Sequence, residues 1–392
     1  MKKTQLFLAL FCAISTALAW TNSALSAEPQ DIWGHSSGDS SKMNFSIKAN
    51  FKELFAKIGK LKVPAGRQSS REQDAFVKGV LSYEDQDNQS IALPVSVRVR
   101  GHITQQSCTF PKLELEFESN ATIENTLFAG NLRIKIGTHC IDSGPDSAKP
   151  FGANDQKNVN REVFAYRLAN LLGLPSLKTR EATITYIDIG NPDSVAGTIT
   201  RTAALIESTS SYKDRLGVAE IFTESSDQYK AALEQAKAKG KQPKKPFKYA
   251  LDTAEMADAK MVLLAMAVLD VLGWYDHTVD LDQVSNGYMW NIKAFQRKDG
   301  SRYILPIDFN LSPFVDDRQT PFTLRVFEAH SSQFPEVAAA IRLQIKNQGP
   351  QILKALDEAD LSYIDPTTGK VILDEDWRKS KKQGLEKLFS EL

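Results

Sequence analysis

The densest run of polar side chains in apolar surroundings lies between Gly273 and Ser312. It opens Gly273-Trp274-Tyr275-Asp276-His277, passes through Asn286, and closes on Leu305-Pro306-Ile307-Asp308-Phe309-Asn310-Leu311-Ser312. The apolar stretch from Met261 to Gly273 has the length of a buried helix, which places Asp276 at a helix end. Asn286 to Phe295 and Tyr303 to Ile307 read as a strand pair turned at Lys298-Asp299-Gly300. Asn286 then starts one strand and Asp308 ends the other, with Asp276 one loop away. Phosphoryl transfer needs that set of groups. One carboxylate orients the attacking hydroxyl, while an amide and a second carboxylate hold a divalent metal on the phosphates. Hard oxygen donors suit magnesium or manganese. Asp and Asn also favour strand ends and helix caps, so spacing alone leaves ordinary turn chemistry open.

The elements that must carry these residues change character along the chain. Phe45 to Leu61 reads as a strand followed by a short basic amphipathic helix. Leu93 to Gly101 alternates valine with Ser or Arg, the pattern of a strand with one wet face. Lys112 to Phe117 and Leu132 to Ile136 repeat it, which predicts an antiparallel sheet. Val159 to Leu172 shifts to helical spacing and stops at Gly173 and Pro175. Strands are expected again at Glu181 to Ile189 and Gly197 to Ile206, followed by a polar break at Ser208 to Ser211. Beyond it helices dominate: Gln228 to Lys239, Ala254 to Leu272, Pro335 to Ala359, and the C-terminus.

The first residues carry an export signal: Met1-Lys2-Lys3, an apolar run from Leu6 to Leu18, and small-residue cleavage patterns at Ala17-Leu18-Ala19 and Ala24-Leu25-Ser26. The run is too short to span a bilayer comfortably, and no transmembrane anchor is expected. Cleavage removes Lys2 and Lys3 from 48 basic residues, leaving 46 against 48 acidic ones, a balance that gives nucleic acid no electrostatic hold. The mature chain is expected in the periplasm or outside the cell. Cys12 leaves with the signal, and the other two of the three cysteines, Cys108 and Cys140, most simply form one disulfide in an oxidising compartment. Two buried thiols are the alternative.

This organisation is α+β: a signal peptide over 1–26, a flexible arm over 27–44, a mainly β N-lobe over 45–207 with one inserted helix, and a mainly α C-lobe over 208–392 that holds the metal and catalytic hairpin at 273–315. It is the layout of a two-lobed kinase-like fold, although the pattern alone leaves several α+β folds open.

Val95 to Gly101, Cys108-Thr109-Phe110-Pro111, Ile134 to Cys140, Arg161-Glu162-Val163-Phe164-Ala165-Tyr166-Arg167, and the segments around Asp276, Asn286 and Asp308 follow one another along the chain. This collinear series resembles the CotH family, named for a spore-coat protein, and its exported bacterial relatives. The resemblance implies an atypical protein-kinase-like fold that uses ATP with magnesium or manganese. It implies that Asp276 orients the acceptor hydroxyl, that Asn286 and Asp308 bind metal, and that Lys135 contacts the nucleotide phosphates, paired with Glu162 on the inserted helix. Asn310 stands where the family carries a second acid. The function expected is transfer of the ATP γ-phosphoryl group to a hydroxyl of a protein or small acceptor. The alternative is a non-catalytic exported binding or assembly protein with a degenerate cleft.

Overall fold

The computed structural model describes residues 31–34, 42–60, 76–100, 110–137, 156–190, 197–220, 238, 240, 259–273, 291–316, 322–365 and 368–392. The segment read as a signal peptide, Cys108, Cys140, Asp276, His277 and Asn286 lie outside the described residues, and with them most of the segment 228–239 expected to be helical.

Seven strands form a closed barrel: β1 (Met43–Ala49), β2 (Phe76–Glu84), β3 (Ser90–Val99), β4 (Leu113–Phe117), β5 (Arg133–Gly137), β6 (Thr179–Asp188) and β7 (Thr198–Glu207). Their order is β1-β2-β3-β4-β5-β7-β6, and every pairing is antiparallel except the closing one. There β1 runs parallel to β6, from Met43 opposite Ala182 to Ala49 opposite Asp188. This mixed, closed barrel overturns the expected two-lobed kinase-like fold with an antiparallel-sheet N-lobe. Alternation in the sequence shows that strands exist and which side of each is apolar. It carries no information on whether the first and sixth strands meet, and closure satisfies backbone groups that an open sheet would leave at its edges.

The alternation itself holds. Val95, Val97 and Val99 of β3, Leu113 and Leu115 of β4, and Ile134 and Ile136 of β5 fill the barrel. Arg98, Glu114, Glu116 and Lys135 lie on the outer face of the same strands, where Glu116 accepts hydrogen bonds from Arg98 and Arg133. Part of the arm read as flexible is docked. Ile32 and Trp33 are buried against the barrel core, and Trp33 Nε1 donates to Asn131.

The helix α1 (Phe51–Lys60) follows β1, and the single turn α2 (Asn120–Ile123) follows β4. The helix read as an insert, α3 (Gln156–Leu171), lies outside the barrel. It shares a second core with α5 (Ala259–Leu272), α7 (Pro335–Glu358) and α8 (Glu375–Glu391). Between them, the polar break at Ser208 proves to be a helix cap. The Ser208 hydroxyl accepts from Ser211 N at 3.1 Å and starts α4 (Thr209–Leu216). A three-stranded sheet has β9 (Ile292–Gln296) in its centre, with β10 (Arg302–Pro306) on one side and the short β8 (Ala219–Glu220) on the other. The helix α6 (Arg325–Ser331) precedes α7, and a small hairpin of β11 (Ser362–Ile364) and β12 (Val371–Leu373) leads into α8.

Candidate functional site

Asp308 lies two residues past β10, with φ 62° and ψ 60°, in the left-handed region that aspartate visits uncommonly. Three contacts hold the segment around it. Its backbone N–H donates to the Tyr166 hydroxyl at 2.8 Å, and the Phe309 ring packs edge-on against Tyr166 with centroids 4.8 Å apart. Further along, Phe314 N donates to Leu272 O at the end of α5. There Gly273, with φ 81°, allows the chain to turn where any Cβ would meet the Pro313 ring at 2.8 Å.

The barrel supplies the cations. Arg100 N donates to Lys112 O, which carries the β3–β4 pairing past its last registered pair and sets Arg100 beside Lys112. Lys112 is buried, and its Nζ donates to Asp308 Oδ1 at 2.9 Å, joining chain positions 196 residues apart. From α3, Glu162 and Tyr166 reach the same place one helical turn apart. Lys135, opposite Glu114 in the β4–β5 register, donates to the Thr209 hydroxyl at 3.3 Å. Lys293 of β9 pairs with Glu220 at 2.5 Å.

Crowding of charge in a desolvated place displaces the proton affinities. Burial, together with the nearby Asp308 carboxylate, pushes Glu162 up to about 7 against the pull of Lys112 and Arg100. Burial alone would lower Lys112, but Asp308 and Glu162 outweigh it and its pKa rises. Burial, with the cations Arg100 and Lys293 nearby, brings Lys135 down to about 7. Burial and the Glu162 and Asp308 carboxylates hold the Tyr166 hydroxyl well above its ordinary value.

Of the residues singled out from sequence, Lys135, Glu162 and Asp308 fall within one electrostatic neighbourhood. The cation acting on Glu162 is Lys112, however, and Glu162 is not among the groups that shift Lys135. Sequence reasoning missed Lys112, Arg100 and Tyr166. Lys112 continues the polar face of Glu114 and Glu116, yet an outward lysine at a strand start looks like any surface lysine. Tyr166 sits at helical spacing among apolar residues and read as core, which its ring is.

A divalent cation needs several oxygen donors. Asp308 offers one, and Glu162 keeps Oε1 buried without a hydrogen-bond partner among the described residues, an orphaned acceptor suited to a cation. These donors fit magnesium or manganese as part of a set. Among the described residues no group of three His, Cys, Asp or Glu side chains is placed to hold a metal.

No family model and no curated protein matches the chain. Among the described residues, no helix is long and apolar enough to cross a membrane.

Proposed function

We propose that the chain is an exported phosphotransferase that moves the γ-phosphoryl group of ATP to a hydroxyl of a protein or small acceptor. The observation that carries this reading is the meeting of Lys112, Asp308 and Glu162 at the seam between barrel and helices, with Arg100 and Lys135 on the same wall. Lysine and arginine recognise phosphate oxygens, and the acids hold the lysine in place. Lys112 and Lys135 would bind the phosphates, and Glu162 would orient Lys112. Asp276 would accept the proton of the acceptor hydroxyl as its oxygen bonds to phosphorus and the bond to ADP breaks. Magnesium or manganese, held by Asp308 and Asn286, would neutralise charge on the phosphates.

A second reading is favoured by the same ion pair. Lys112 already engages Asp308 Oδ1, an oxygen the metal would use. A non-catalytic exported binding protein would keep that pair closed.

Thermal unfolding with ATP and manganese separates the two. A ligand at a hundredfold excess over its dissociation constant stabilises by about 2.7 kcal/mol, several degrees in Tm for a chain of this size. The shift is expected to require ATP and metal together and to vanish in Lys112→Ala. Asp276→Ala is expected to keep the shift but lose transfer of labelled phosphate. No shift with either metal would leave the non-catalytic reading standing.

A further inference from the structure

The inside of the barrel holds two polar groups that the seam does not use. Ala182, Ile184 and Tyr186 of β6 point inward with the barrel core, as do Ala203 and Leu205 of β7. Arg201, two residues before Ala203, falls on that inward face. The register sets Tyr186 opposite Ile199 and Arg201 opposite Ile184, so Tyr186 and Arg201 are diagonal neighbours within reach of each other. The Phe110 and Phe51 rings lie 4.7 and 5.8 Å from the Tyr186 ring.

Tyr186 is 2% exposed, yet among the described residues its hydroxyl has no hydrogen-bond partner, and neither does the buried Nε of Arg201. Arg201 Nη1 donates to the Thr200 carbonyl at 2.9 Å, which fixes the guanidinium, and among the described residues no carboxylate pairs with it. Burial lowers the Arg201 pKa and raises that of Tyr186, so the phenol remains a neutral donor. A buried donor left without an acceptor is costly, and native proteins rarely leave two together.

We propose that Arg201 and Tyr186 form a subsite for a small organic monocarboxylate, whose apolar body would lie against the aromatic wall of Phe51 and Phe110. Ionised carboxylate oxygens only accept hydrogen bonds, and both orphaned groups donate. One negative charge matches one guanidinium. A phosphate dianion would bring a second charge into apolar surroundings where, among the described residues, no second cation acts on Tyr186.

Benzoate is the probe, with inorganic phosphate as comparator, measured on the full chain by thermal unfolding and calorimetry. Benzoate is expected to raise Tm saturably in the wild type. Tyr186→Phe is expected to weaken binding about tenfold, as loss of one hydrogen bond to a charged group does. Arg201→Gln is expected to abolish the shift, and Lys112→Ala to leave it intact. Should Arg201→Gln fail to fold, Arg201→Lys keeps the charge but moves the donor, and weaker benzoate binding is expected. The proposal is overturned if benzoate leaves the wild type unmoved, if only phosphate binds, if the shift disappears in Lys112→Ala, or if neither Arg201 variant changes it.

Discussion

Arg161 and Glu162 are consecutive residues of α3, both almost fully buried, and their surroundings differ sharply. Arg161 turns toward α8. Its Nε and Nη2 each lie 2.6 Å from Asp374 Oδ2, its Nη1 donates to Val315 O and Asn158, and its guanidinium lies 5.2 Å from the Trp377 ring. Glu162 turns toward the barrel, shares Lys112 with a second carboxylate, and, among the described residues, keeps one oxygen without a hydrogen bond. Both clusters join distant parts of the chain. The first is satisfied and acts as a clamp, whereas the second remains frustrated, and frustration of that kind concentrates where ligands bind.

The difference can be broken from the clamp side. Arg161→Met leaves Asp374 without its partner, and an uncompensated buried charge costs about 3–5 kcal/mol. Urea unfolding at neutral pH is expected to show that loss, with ATP-dependent effects unchanged in whatever fraction folds. A loss below about 1 kcal/mol, the range of an exposed pair, would remove the distinction.

From the other side, the pH dependence of stability sharpens it. Glu162 has a folded pKa of about 7 against an ordinary 4.5, so between those values the folded chain holds more proton than the unfolded one. Its contribution is therefore fully present below pH 4.5 and is lost as pH rises through 7. Glu162→Gln is expected to flatten that decline, a change on the order of 2 kcal/mol across the window. An unaltered pH profile in the variant would show that Glu162 titrates normally.

The smallest effect is expected at Lys135, whose folded pKa of about 7 lies below its ordinary 10.5. Here the unfolded chain holds more proton between the two values, so stability rises with pH across that window as the burial penalty is relieved. Lys135→Met is expected to remove the rise and to stabilise the protein at pH 6, on the order of 1 kcal/mol because the side chain keeps some solvent and its Thr209 contact. Destabilisation at pH 6 would mean that the hydrogen bond to Thr209 outweighs the desolvation.

Much of the local structure was legible. The Leu93 to Gly101 alternation corresponds to β3, the Val159 to Leu172 periodicity to α3, and the apolar run before Gly273 to α5. The Lys298-Asp299-Gly300 turn joins β9 and β10, with Arg297 N donating to Ser301 O. One strand of the barrel was overlooked altogether, as were the short β8, β11 and β12. In β2 (Phe-Val-Lys-Gly-Val-Leu-Ser-Tyr-Glu) Gly79 interrupts the side-chain alternation, and a Cβ there would stand 2.8 Å from Lys48 O of β1. Close approach of a neighbouring strand explains that glycine, and the neighbour is invisible without the fold. Of the site, Asp308 stood out as an acid at a strand end, and Glu162 only through the family resemblance. Lys112 did not, because its importance lies wholly in what it touches.

Residue order alone determined which segments extend or coil and which side of each is apolar, since a period of two or of 3.6 is written in a dozen consecutive residues. Tertiary structure alone decided that β1 would close against β6, that Lys112 would meet Asp308, and that Arg201 would lie beside Tyr186 with no carboxylate among the described residues to pair with it. These are pairings between segments from about fifteen to nearly two hundred residues apart. Register and strand order select such partners, and neither leaves a periodic trace in the chain.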